Sequence, residues 1–517
     1  MPDRRILSLA AAAALSAYAL LAWRFDFLCD DAFISFRYAR NLALGEGLRY
    51  NPGLPPVEGY SNFLWVLWLA PFERAGLDVP LVARVSSALL GAMLVVWVTL
   101  FCARRFELSG GRALATGLFL ATLPPVALWA TGGLATMPAA LCVFGTYERL
   151  LGDPARPRGG QAGLFALAAA LVRADGAVWV ALVLAAGGAL WLLDGRPASL
   201  RRALLRAALV CAAGLALHVA WRLSYYGDWL PNTARVKAGF SPARLARGLD
   251  YVAATLLTVP SLVLAALAAL RALARAQRHV WLSAGFVIAG TLSYAAWVGG
   301  DFMPMGRFLF PAVPFVALLF ALALRALAAR AAAALAAVCI ALSWLACFDL
   351  GPLPASIRAR FHFRADREWE SEVAMWRGMK ERARDWAVQG RALKLLTRPG
   401  ESMIFGPLGA LGYYSELIAY DTYGLVTPEV LARGEPVPRS SPGHDRRVDP
   451  DFFFPLHPTY LGSLVQPADA PLDEGLAARW EAHPWSRLVT IERHPLPVGP
   501  GFPAGRELRL LRMRRWE

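Results

Sequence analysis

Long apolar runs separated by short basic clusters dominate the first two thirds of the chain. Runs near 6–23, 81–102, 112–130, 133–150, 161–173, 176–193, 203–221, 251–270, 280–298, 307–324 and 331–348 approach the ~20 residues a helix needs to cross hydrocarbon. The pattern predicts a polytopic α-helical membrane protein of about 11 spans. Two runs, 112–130 and 161–173, are weakened by Gly, Pro or short length. Pro124, Pro125 and Pro138 predict broken helices around an internal cavity, because backbone groups freed in lipid must find partners. Ser61 to Ala75 is also apolar, but a span there would carry Arg104 and Arg105 to the wrong side; it is read as a helix at the outer interface.

The pattern changes at Gly351, where the chain turns polar and Pro-rich and carries five of the seven histidines. Asp366 to Leu396 shows helical periodicity, with Trp369, Val373, Trp376 and Met379 three or four apart. Short β-like runs follow at Ser402 to Phe405, Arg487 to Ile491 and Glu507 to Leu511. The organisation is therefore a transmembrane bundle over 1–348, with a first outer loop at 24–80, and a soluble α/β domain over 349–517.

Of the 517 residues 57% are hydrophobic and 18% charged, and the mean hydropathy is +0.43. That balance excludes an ordinary soluble enzyme. A net charge of +15 suggests nucleic acid, but the arginines at 4–5, 104–105, 156 and 158, 201–206, 271–278 and 325–330 lie between apolar runs at alternate ends. This is the positive-inside pattern, not a phosphate-binding surface. It puts the chain in a bacterial plasma (inner) membrane as a multi-pass protein, N-terminus cytoplasmic and C-terminal domain extracytoplasmic. Ile6 to Trp23 lacks a small-residue cleavage site and is read as a retained span. The six cysteines form no CxxC pair or zinc spacing.

No GxxxxGK[ST], strand-borne GxGxxG, HExxH or GxSxG occurs, which sets aside nucleotide-driven transport, kinase, zinc protease and serine hydrolase chemistry. What remains is charge gathered at one membrane face: Asp30, Asp31, Arg37, Arg173, Asp175, Lys237, Asp301 and Arg307 all fall at predicted outer ends. A carboxylate can take a proton from an acceptor hydroxyl while cations hold a phosphate leaving group. Outside the cytoplasm an activated sugar must arrive on a membrane-borne carrier, so the set fits sugar transfer from a lipid phosphate. Five basic residues in 222–250 break the positive-inside pattern and suggest an anionic ligand. Structural roles compete: an aspartate capping the helix near Ala32, Arg37 bridging to either acid, and Arg173 paired with Asp175. Asp30, Asp31 and Asp301 are hard oxygen donors suited to Mg or Mn, and metal dependence stays open.

Read in order, DDAFISFRYARNLALGEGLRYNPG, VEGYSNFLWVL, LVRADG, YYGDWLPNT and GGDFMPMGRFLFP resemble the GT-C type of polytopic glycosyltransferase. Within that superfamily the pattern is similar to the terminal β-(1→2)-arabinofuranosyltransferases, and YSELIAYDTYGLVTPEV and PGHD extend it into the tail. The resemblance implies a polyprenyl-phosphate sugar donor, with a pentofuranose such as arabinofuranose as one candidate sugar, and a glycan or lipid-linked acceptor. It also implies an inverting transfer with an Asp base. Carried over by position, Asp30 and Asp31 are the acidic pair, with Asp31 favoured as base. Arg37, Glu58 and Tyr60 flank them on the first loop, Asn232 lies in PNT, and Asp301 and Arg307 lie in GGDFMPMGR. Where relatives carry the glutamate of GLET this chain has Ala135. That departure keeps a non-catalytic assembly factor as an alternative, beside a polyprenyl-lipid transporter or flippase.

Overall fold

The computed structural model describes residues 4–153, 155–236, 241–272, 278–350, 353–364, 370–437, 442–469, 488–499 and 501–514. Helix α1 (Arg4–Phe25) leads into α2 (Asp30–Ala43), α3 (Phe63–Arg74) and α4 (Val79–Arg105). Then come α5 (Gly110–Thr122), α6 (Pro124–Trp129), α7 (Thr136–Tyr147), α8 (Gly159–Val172), α9 (Gly176–Leu193) and α10 (Ala198–Tyr226). The bundle continues with α11 (Asn232–Val236), α12 (Pro242–Thr258), α13 (Pro260–Ala268), α14 (Arg278–Trp297), α15 (Val313–Ala326) and α16 (Ala329–Phe348).

Among the described residues seven helices are long and apolar enough to cross a membrane, or eight if α12 and α13, bent by 82°, form one span. The other predicted spans appear as shorter helices. The run at 112–130 breaks at Leu123, whose extended backbone precedes Pro124, because a residue before proline is pushed out of the α region. Val259 precedes Pro260 at the 82° bend, where proline supplies no amide to continue the ladder. Pro138 produces no kink: it sits in the first turn of α7, where its missing N–H is harmless. The apolar segment after Tyr60 is the short helix α3, 12 residues long.

The tail begins with α17 (Ala355–Arg358) and α18 (Glu372–Leu396). Ser371 caps α18, accepting from the Ala374 amide at 3.1 Å while its hydroxyl donates to Asp349 at 2.9 Å. Strands β1 (Ser402–Phe405), β2 (Ile418–Asp421), β3 (Glu435–Pro436), β4 (Arg446–Arg447), β5 (Tyr460–Pro467), β6 (Val489–Pro495) and β7 (Arg506–Met513) follow, with α19 (Ala410–Ser415) and α20 (Glu429–Arg433) between them. The main sheet has the order β2-β1-β5-β7-β6, with β1 parallel to β2 and β5, and β7 antiparallel to β5 and β6. All four residues of β1 are buried, as expected for a parallel strand covered on both faces. The sequence pattern missed β2 and β5 of this sheet, and the two-residue strands β3 and β4. Part of the predicted helix before Glu372, including Trp369, lies outside the described residues.

Tail and bundle share one hydrophobic core, which runs from Phe25, Phe33 and Tyr50 through Trp376, Leu408 and Tyr413. The Trp376 ring meets Phe25 edge-on at 5.1 Å, and its indole N–H donates to the Phe25 carbonyl at 2.9 Å.

Candidate active site

Helix α2 begins with the acidic pair, and its N-cap is Cys29, which makes no side-chain capping bond. Neither aspartate caps the helix; both occupy its first turn, where the positive end of the helix dipole favours carboxylates. Their surroundings differ. Asp30 Oδ1 accepts from the Ala410 amide at the start of α19, at 2.8 Å. Burial pushes the Asp30 carboxyl up to about 7, a rise the Ala410 bond opposes and the neighbouring Asp31 charge reinforces. The Asp31 carboxylate has no hydrogen-bond or ion-pair partner among the described residues, and its charge reaches Arg307.

The wall beside α2 is the segment between α6 and α7. Cys29 donates its amide to the Gly132 carbonyl at 3.1 Å, and Trp65 Nε1 donates to the Gly133 carbonyl at 3.0 Å. Gly133 has φ +74°, and a Cβ there would run into Leu28 and Ala32, so close approach to α2 requires glycine. Ala135 precedes α7 and is buried, and the buried Thr136 hydroxyl has no partner among the described residues.

The third wall is the loop from Asp301 to Arg307. Both side chains are buried, and Arg307 donates to Asp301 through Nε at 2.6 Å and Nη2 at 3.1 Å. Arg307 also lies over the Trp129 ring, 5.7 Å from its centroid. The tail fixes this loop from outside. Arg364 donates to the Phe302 carbonyl at 2.9 Å and pairs with Glu372 at 2.9 Å, and Glu372 accepts from the Met305 amide. The Asp301–Arg307 pair is thus fixed by the tail, with the Asp31 charge within electrostatic reach of Arg307.

The remaining expected site residues do other work. Arg37 bridges to neither aspartate. Its buried guanidinium donates to three carbonyls, Tyr50 at 2.8 Å, Gly412 at 2.5 Å and Leu417 at 2.7 Å, which ties the first loop to the tail. Glu58 pairs with Arg222 at 2.6 Å, and burial pushes its carboxyl up against that cation's pull. The Tyr60 hydroxyl accepts from Tyr226 at 3.2 Å. Asn232 donates to the Gly424 and Leu425 carbonyls, both at 2.7 Å. Arg173 and Asp175 form a local pair at 2.6 Å. Lys237 lies outside the described residues.

The expectation that the 222–250 basic residues await an anion needs correction. Arg222 is paired with Glu58, Arg235 with Asp228, and Arg244 and Arg247 with Asp445 at 3.1 and 2.9 Å. Burying a cation favours a fixed carboxylate beside it. For a metal, Asp301 already gives both oxygens to Arg307 and Asp30 holds an amide. No group of three His, Cys, Asp or Glu placed to hold an ion occurs among the described residues. The donor set does not fit a metal cage.

Residues 374–494 match a family model described as a domain of unknown function, DUF8728. No curated protein matches the chain. Among solved structures, ArnT from Cupriavidus metallidurans bound to undecaprenyl phosphate aligns at a TM-score of 0.58 and 16% identity, covering 97% of each chain. The apo form of the same protein aligns at 0.56 and 15%, with 97% of each chain covered. The fold is thus that of the ArnT structures, a bundle of apolar helices with a small C-terminal sheet domain.

Proposed function

We propose that this chain is a membrane glycosyltransferase that moves a sugar from a polyprenyl-phosphate carrier to a glycan or lipid-linked acceptor at the outer face. The observation that carries the reading is the contrast within the acidic pair. Asp30 is held by an amide, while Asp31 stands unpaired beside the Asp301–Arg307 pair. An unpaired carboxylate half-buried at a helix start is disposed to accept a proton.

The residues suggest the following roles. Asp31 takes the proton of the acceptor hydroxyl as that oxygen attacks the anomeric carbon. The bond from that carbon to the phosphate oxygen breaks on the opposite side, so the configuration inverts. Arg307, oriented by its two bonds to Asp301, turns its remaining donors to the leaving phosphate. Asp30 positions the start of α2 through Ala410. The domain division at 348/349, an outward C-terminal domain and a pentofuranose such as arabinofuranose as the sugar belong to the same proposal. The ArnT likeness supports it through fold, and the undecaprenyl phosphate bound by that neighbour is a carrier of the proposed class.

The test is release of free polyprenyl phosphate by the purified full chain in detergent, offered a panel of polyprenyl-phosphate pentoses and hexoses with a glycan acceptor. Asp31→Asn is expected to slow release at least ~100-fold, the lower end for loss of a general base. Release by Asp31→Asn at the wild-type rate sinks the assignment. Lipid movement across sealed vesicles without bond cleavage favours the flippase instead.

A further inference from the structure

A second charged cleft lies beside the α1–α2 junction, apart from the residues proposed for the transfer chemistry. It is about 370 Å³ in volume and opens between the α1–α2 junction, the start of α4 and the face of α18. Neither Asp31 nor Arg307 lines it. Four cations do: Arg84 from α4, and Lys380, Arg384 and Arg391 from α18. The α18 residues recur at intervals of four and seven, which places them along one face of the helix. Ala383 and Ala387 between them keep the floor low.

These charges have few counterparts. Among the described residues Asp26 is the only carboxylate paired with any of the four, through Arg84. Lys380 lies 5.6 Å from the centre of the Trp376 ring, and Arg391 lies 4.9 Å from that of Tyr414. The Nε atoms of Arg84 and Arg391 are buried donors without a partner. Burial, reinforced by the Arg384 and Arg84 guanidiniums, pulls the Lys380 ammonium below the usual lysine range. Like charges crowded in a half-buried cleft repel more strongly than in water, because the local dielectric is lower. An anion with several oxygens relieves that repulsion and supplies the missing acceptors. The opposite wall is apolar, formed by Phe27, Leu28 and Phe33. The cleft therefore presents a phosphate-sized positive pole beside a hydrocarbon surface.

We propose that this cleft binds the phosphate group of an anionic amphiphile, with Lys380, Arg384 and Arg84 on the phosphate oxygens and Phe33 against the first carbons of its chain. The site goes beyond the transfer reading and stands without it, because binding there needs no catalysis. The same cations would also hold a free phosphate, so the test separates the two sources.

Purified full chain in phosphatidylcholine nanodiscs is titrated calorimetrically with dihexanoyl phosphatidic acid and, separately, with inorganic phosphate. The wild type is expected to bind the short-chain lipid at least tenfold more tightly than inorganic phosphate. The double variant Lys380→Gln with Arg384→Gln should weaken lipid binding at least tenfold. Removal of two exposed cations elsewhere on the tail, Arg398→Gln with Arg433→Gln, should leave it unchanged. Arg384→Glu, a reversal at an exposed position, guards against misfolding of the double variant and should weaken binding further. Equal affinity for inorganic phosphate overturns the amphiphile in favour of a free phosphate. Failure of the wild type to bind, or equal binding by wild type and both cleft variants, overturns the site. Release of polyprenyl phosphate is measured in parallel, so loss of the cleft and loss of the transferase reading register separately.

Discussion

Replacing Asp30 by asparagine should change how stability depends on pH more than it changes the fold. The amide oxygen of asparagine still accepts from the Ala410 N–H, while the titrating proton is gone. In the folded chain burial raises the Asp30 carboxyl from 3.8 to about 7. Between those values the folded state holds a proton that the unfolded state has released. Stability contributed by the group is thus present in acid and declines as pH rises through the window, levelling off above about 7. A shift of about three units at ~1.36 kcal/mol each amounts to roughly 4 kcal/mol at full burial. Because the side chain is only half-buried by surface, about 2 kcal/mol is the working expectation. The assay is tryptophan-monitored melting of both proteins in detergent from pH 5 to pH 8. At ~2.1 cal/mol/K per residue, 1 kcal/mol moves the midpoint of a chain this long by about 1 °C. About two of the three units fall between pH 5 and pH 8, so Asp30→Asn should gain about 1 °C on the wild type across the range. Parallel melting curves at every pH would refute the argument, since every other titrating group cancels in the difference.

Three further outcomes follow from the site. Arg307→Ala leaves Asp301 buried without its cation and should cost about 3–5 kcal/mol by denaturation in detergent, with Arg307→Lys recovering part of it. Arg37→Ala removes three charge-assisted bonds and should loosen the tail by roughly 2–4 kcal/mol, read as faster proteolysis after Phe348 than in wild type. Gly133→Ala forces a side chain into Leu28 and Ala32 at a positive φ; it should lower the rate of donor cleavage along with the melting temperature, whereas Gly53→Ala, at an equally positive φ but in open space, should leave the rate unchanged.

The apolar periodicity made the bundle legible, and its prolines marked the break where Pro124 follows Leu123, but the run at 251–270 hid the 82° bend at Val259 and Pro138 broke nothing. It overestimated the length of several spans, since composition alone cannot say whether a helix ends inside the bundle. Strand β2 escaped because it is four residues long and its buried positions are Ala419 and Asp421, poor strand formers, and β5 because Gly462, Ser463 and Pro467 dilute its apolar residues. The charged residues of the site were visible as residue types, but their partners were not. Nothing in the sequence near Arg37 points to Gly412, and nothing near Asp30 points to Ala410, 380 positions away. The acids that neutralise the 222–250 basic residues also come partly from distant segments, Glu58 and Asp445. The cleft cations left a trace, the spacing of Lys380, Arg384 and Arg391, but Arg84 joins them only through the fold.

The tie from Arg37 to the Gly412 carbonyl also sets a schedule for making the protein. The two residues are separated by 375 positions, which at about 5–20 residues per second takes roughly 20–75 s to synthesise. Throughout that interval the first loop has been made, yet the tail carbonyls that hold its guanidinium and the amide that holds Asp30 do not exist. The acidic pair therefore acquires its final geometry among the last events of assembly. A ribosome stalled before α19 leaves a helical bundle whose acidic pair lacks the contacts that fix the start of α2.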